Sequence, residues 1–63
     1  MTKPLKGLRY RRRAAELSQQ VIADVLGVHV STYNRIESGV IGLNLTEAVK
    51  LAEYFGCSVE DLL

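Results

Sequence analysis

Sixty-three residues make one domain, and a chain so short buries only about 60% of the surface it exposes when unfolded. Cys57 is the single cysteine and His29 the single histidine, so neither a disulfide framework nor a metal cluster can reinforce the core. Net charge is +1, but residues 1–13 carry Lys3, Lys6, Arg9, Arg11, Arg12 and Arg13 without an acid, whereas residues 14–63 set Arg35 and Lys50 against seven acids.

A basic arm, about residues 1–7, on a mildly acidic body calls for an anionic partner; the plain alternative is a solubilising tail and a solvated helix end. No apolar run follows the basic start, and no segment reaches membrane-spanning length. The expected protein is soluble and cytoplasmic, without a membrane partner, small-molecule ligand or cofactor.

Apolar residues recur at three and four positions rather than two, which predicts an all-α domain of five short helices. The first runs from about Pro4 or Lys6 to Ala15, with Leu8, Arg12 and Ala15 on one face. Ser18 caps the second, whose Ile22, Ala23 and Leu26 face inward, and Gly27 stops it. The third spans about Val30 to Ser38 and is closed by Gly39. In "NLTEAVKLAEYFG", Asn44 with Glu47 makes a capping-box pattern; Ala48, Leu51, Ala52 and Phe55 form the apolar stripe, and Gly56 ends the helix. The fifth, "SVEDLL", begins at Ser58 as cap, with Asp61 as the third-position acceptor.

Only Gly27, Val28 and His29 separate the second and third helices. So short a link forces a sharp corner of the helix-turn-helix kind, whose second helix can enter the DNA major groove. That geometry is common in small bundles; the third helix makes it more specific. Tyr33, Ile36 and Glu37 share one side, while Ser31, Asn34, Arg35 and Ser38 share the other. The inward side lets a helix too short to be stable alone survive by packing. The outward side carries Asn and Arg, which can read adenine and guanine edges bidentately, beside small hydroxyl groups. Glu37 lies on the inward side and needs a partner, for which Arg12 is the best candidate.

The stretches "RRAAELSQQVIADVLGVHVSTYNRIESG" and "LAEYFGCSVEDLL" resemble the Cro and phage-repressor type of helix-turn-helix domain, also called the XRE family, from about Leu8 to Leu63. The resemblance rests on "LSQ", Ala23, "LGV", "RIESG" and the C-terminal stretch taken together. It implies five helices around one core, and its inward Arg–Glu pair falls on Arg12 and Glu37. It makes Gln19 a phosphate contact at a helix start that also favours an anion. It places Val30, Ser31, Asn34 and Arg35 where relatives reach base edges, with His29 at the corner beside the DNA backbone. Lys6, Arg9 and Arg13 are the basic segment's candidates for further phosphate contacts.

The sequence departs from the family pattern in several places. Glu16 stands where glycine is usual, so the end of the first helix is expected to be shaped differently. His29 replaces the usual hydroxyl cap and is expected to cap poorly, and Val30 offers no hydrogen bond, only contact with a thymine methyl. The loop "GVIGL" is apolar where relatives carry polar or basic groups, leaving phosphates only its backbone N–H groups. Val40, Ile41 and Leu43 are candidates for a homodimer contact, with core packing of one or two of them as the alternative. Tyr33 is expected to pack inward with its hydroxyl near the surface, where a phosphate contact is one option. Cys57 is expected to be buried and inert, and Tyr10 and Tyr54 to cover core edges. No catalytic constellation is present, so a non-enzymatic, sequence-specific binder of double-stranded DNA is expected. The alternative is a protein-interaction module of the same fold, such as an antirepressor or antitoxin-like domain.

Overall fold

The computed structural model describes residues 4–63; residues 1–3, and with them Lys3 of the basic arm, lie outside the described residues. Among the described residues four α-helices follow one another: α1 Lys6–Ala14, α2 Gln19–Leu26, α3 Val30–Glu37 and α4 Leu45–Phe55. A single 3-10 turn, Glu60–Leu62, takes the place of the expected fifth α-helix. Its bonds run from Asp61 N–H to Ser58 C=O, Leu62 N–H to Val59 C=O and Leu63 N–H to Glu60 C=O. Runs this short favour the tighter i→i+3 pattern. Asp61 does accept from the Ser58 N–H, at 3.2 Å, but the cap position of the turn falls on Val59, which has no side-chain acceptor, rather than on Ser58. These bonds hold the exposed Asp61 carboxyl below its ordinary value, chiefly through the Ser58 backbone.

The helix ends follow local chemistry. Ser18 Oγ accepts from Val21 N–H at 3.3 Å and starts α2. Asn44 and Glu47 complete a reciprocal capping box on α4, at 2.7 and 3.2 Å. Gly27 closes α2 in the left-handed conformation, φ +71°, which glycine adopts without a Cβ penalty. α3 ends one residue earlier than expected, with Ser38 as its C-cap, and the Arg35 carbonyl accepts from both Val40 and Ile41 N–H.

Glu16 takes φ +58°, a left-handed conformation that a residue with a Cβ rarely adopts. Leu17 N–H returns to Arg12 C=O, and Arg12 Nη1 donates to Leu17 C=O at 3.0 Å, holding the turn shut. The conformation costs about 1–2 kcal/mol of backbone strain for a residue with a Cβ.

Leu8, Ile22, Ala23, Tyr33, Leu51, Ala52 and Leu62 make the core, with Leu26, Leu43, Phe55 and Cys57 packed half-buried against it. Cys57 is therefore less deeply placed than expected. Ala15 is exposed because it lies beyond the last turn of α1. Tyr10 does not cover a core edge: it is 72% exposed on the outer side of α1. Tyr54 is also half exposed and meets Phe55 edge to face, ring centres 5.2 Å apart. Gly7 is required by close approach, since an added Cβ would collide with the Asp61 carbonyl where α1 crosses the 3-10 turn. Among the described residues no helix is long and apolar enough to cross a membrane.

Candidate nucleic-acid interface

Glu37 anchors α3 from below. It is 1% exposed, and a charge so buried is tolerable only with partners. Arg12 supplies two of them, Nε to Oε2 at 2.8 Å and Nη2 to Oε1 at 3.0 Å, a two-point clamp between α1 and α3. Tyr33 Oη donates to Oε2 at 2.7 Å, one turn back on the same helix. Arg9 Nε and Gln19 Nε2 each reach Oε1 at 3.3 Å. Three helices thus converge on one carboxylate, and Leu5 N–H adds a backbone bond to the Glu37 carbonyl.

The electrostatics follow. Burial by itself pushes the Glu37 carboxyl up, but the hydrogen bonds from Arg12, Tyr33 and Gln19 together outweigh it and hold the group at about 2. The same hydrogen bond from Arg12 raises that guanidinium further, against the effect of burial. Burial, then the bond to Glu37, pushes the Tyr33 phenol well above its ordinary 10.0. The Tyr33 ring and hydroxyl are therefore both inside the domain, which removes the phosphate contact considered for it.

On the opposite side of α3, Ser31, Asn34 and Arg35 are exposed, with Val30 and Ser38 at the margins. Arg35 takes part in no ion pair among the described residues. Asn34 Nδ2 donates to Gln19 Oε1 at 3.3 Å. Gln19 is thereby oriented from both sides. Ionised Glu37 can only accept, so the Gln19 amide turns its NH₂ inward and its oxygen toward Asn34. One N–H and the carbonyl oxygen of Asn34 remain for an outside partner.

His29 overturns the expectation of a poor cap. Its Nδ1 accepts from the Ser31 N–H at 3.1 Å and lies 2.8 Å from Ser31 Oγ. An imidazole nitrogen supplies the acceptor that a hydroxyl cap ordinarily would.

The basic residues are placed unequally. Lys6 through Arg13 lie within α1 rather than in an extended arm. Arg12 is committed to Glu37, and Arg11 reaches Asp61 at 3.5 Å across to the 3-10 turn. Lys6, Arg9, Tyr10 and Arg13 line an open groove on the outer side of α1. Arg9 belongs to both settings: its Nε points at Glu37, yet its side chain is 40% exposed.

The 39–43 loop divides. Leu43 packs half-buried against the core, while Val40 is 71% and Ile41 38% exposed. Ile41 and Leu43 join Pro4, Leu5, Ile36 and Leu63 around an apolar groove of about 490 Å³.

Residues 8–62 match the helix-turn-helix family. An uncharacterised HTH-type transcriptional regulator of Methanocaldococcus jannaschii is 38% identical over 55 residues, covering 87% of this chain and 83% of that relative. No solved structure matches. With the Gly27 corner, the buried Arg12–Glu37 clamp and the polar outer side of α3 all within the matched span, the chain belongs to the helix-turn-helix family, in the Cro and phage-repressor type that its sequence resembles.

Proposed function

We propose that this domain is a transcriptional regulator that binds double-stranded DNA in a sequence-specific manner, with α3 lying in the major groove. The observation that carries the reading is α3 itself, a helix anchored by a buried carboxylate on one side and presenting Ser31, Asn34 and Arg35 on the other. A helix about 10–12 Å across matches a groove about 12 Å wide. Asn34, with one donor and one acceptor free, suits an adenine edge; Arg35 suits guanine. Val30 at the margin suits a thymine methyl. Gln19, His29, Lys6, Arg9 and Arg13 contribute phosphate contacts, which set affinity and its salt dependence.

Two copies related by a two-fold axis would present their α3 helices about 34–36 Å apart on a roughly palindromic site. Val40, Ile41 and Leu43 are the proposed contact between them. Their partial exposure beside the apolar groove supports this. The same feature favours a second reading, in which the groove takes another protein and DNA binding is secondary.

A salt series of binding to random-sequence duplex separates the two readings. Affinity should fall steeply as salt rises, and less steeply when Lys6, Arg9 and Arg13 are replaced by glutamine. No binding even at low salt would overturn the DNA reading. Sedimentation as a monomer at every concentration, with and without duplex, would remove the dimer.

A further inference from the structure

The His29 cap fixes more than the helix start. A backbone N–H can only donate, so the Nδ1 that accepts from Ser31 N–H carries no proton, and the neutral ring holds its hydrogen on Nε2. The Ser31 hydroxyl, 2.8 Å from the same nitrogen, then has to donate to it as well. Only the oxygen lone pairs of Ser31 remain for a partner outside the domain, and Ser31 is exposed on the outer side of α3.

We propose that His29 is a positioning residue for sequence choice: by holding a bare Nδ1 against Ser31 it makes that hydroxyl an acceptor, so the first turn of α3 selects an exocyclic amino edge. This rests on the reading of α3 as the helix in the major groove. There adenine and cytosine present amino donors, while guanine and thymine present keto acceptors. Ser31 therefore favours A or C over G or T on the strand it faces.

Protonation reverses the arrangement. With a hydrogen on both ring nitrogens, Nδ1 becomes a donor, the Ser31 N–H loses its acceptor, and the hydroxyl accepts from the ring. Its own hydrogen then turns outward, toward a keto edge. Of the charged groups on the adjoining helices, Asp24 of α2 is bonded to Gln20, Glu37 of α3 is held by Arg12, and Arg35 carries a fixed charge. The ion pairs of the described residues, Arg9–Glu37, Arg11–Asp61 and Arg12–Glu37, do not include His29. His29 is the single histidine of the chain.

The test is selection from a random duplex library at pH 8 and pH 5, with the unaltered chain and the variants Ser31→Ala, His29→Ala and His29→Asn. At pH 8 the unaltered chain should prefer A or C over G or T at one position by about three- to tenfold, the range of a single hydrogen bond. Ser31→Ala should abolish that preference, and pH 5 should relax or reverse it. His29→Asn caps without titrating and should keep the preference at both pH values, whereas His29→Ala should lose it at both. An amino preference unchanged at pH 5, or His29→Ala weakening all sequences equally, would overturn the inference while leaving the DNA reading intact. An unaltered chain that selects no sequence at either pH would remove both.

Discussion

On the inward side of α3, Tyr33 and Glu37 commit their side-chain polar atoms within the domain, to Arg9, Arg12, Gln19 and each other. Among the described residues no buried side-chain nitrogen or oxygen lacks a partner. On the outward side, one turn or less away, Arg35 is in no ion pair and Asn34 keeps a donor and an acceptor unused among the described residues. The same helix is thus saturated on one face and left open on the other. The saturated face supplies stability, because an eight-residue helix cannot hold itself in water. The open face has free hydrogen-bonding groups that stability does not require. Gln19 joins the two, bonded to Glu37 below and Asn34 above.

Breaking the inward face should have the largest effect. Arg12→Met leaves Glu37 buried without its clamp, and unfolding in urea followed by far-UV circular dichroism should show a loss of about 3–5 kcal/mol. That is a large part of what a small domain has in total.

Acid should attack the same point. Glu37 titrates at about 2 when folded against 4.5 ordinarily, so as pH falls the unfolded chain takes up its proton first. The stabilisation is fully present above pH 4.5 and is lost as pH falls from there toward 2, amounting to about 3 kcal/mol. Thermal midpoints should fall as pH drops below 4.5 toward 2, and Glu37→Gln should remove that acid-dependent fall.

Tyr33→Phe removes one donor from the carboxylate while preserving the ring's packing. Its expected cost is about 2 kcal/mol, typical of a hydrogen bond to a charged group, and chemical denaturation reads it directly.

The smallest effect lies outside both faces, at Glu16. Replacing it with glycine relieves a left-handed strain of about 1–2 kcal/mol but returns about 0.5–1 kcal/mol of freedom to the unfolded chain. A net gain of about 0–1.5 kcal/mol is expected in the same denaturation assay. A clear loss would mean that the Glu16 side chain contributes to the corner.

Much of the inward face was legible in the sequence because it is a matter of helical phase. Tyr33, Ile36 and Glu37 recur on one side, and an inward acid demands a base, which together with the family resemblance singles out Arg12. The caps at Ser18 and Asn44 were legible for the same local reason. What escaped depends on how side chains turn or on parts of the chain far apart. No periodicity says that Arg9, Gln19 and Tyr33 meet on one carboxylate, although a tyrosine four residues before a buried acid is a signal that could have been used. The capping role of His29 depends on a ring rotamer and tautomer, and the need for glycine at position 7 arises only when α1 meets the 3-10 turn.

The most direct test of this division of labour is Arg35→Ala, with stability and DNA affinity measured on the same sample. Unfolding should stay within about 0.5 kcal/mol of the unaltered chain, because the side chain is exposed and, among the described residues, in no ion pair. Affinity for the preferred duplex should fall by about 1–3 kcal/mol, with relaxed choice at one base pair. Unchanged affinity for every duplex, or a loss of stability matching the loss of binding, would contradict it.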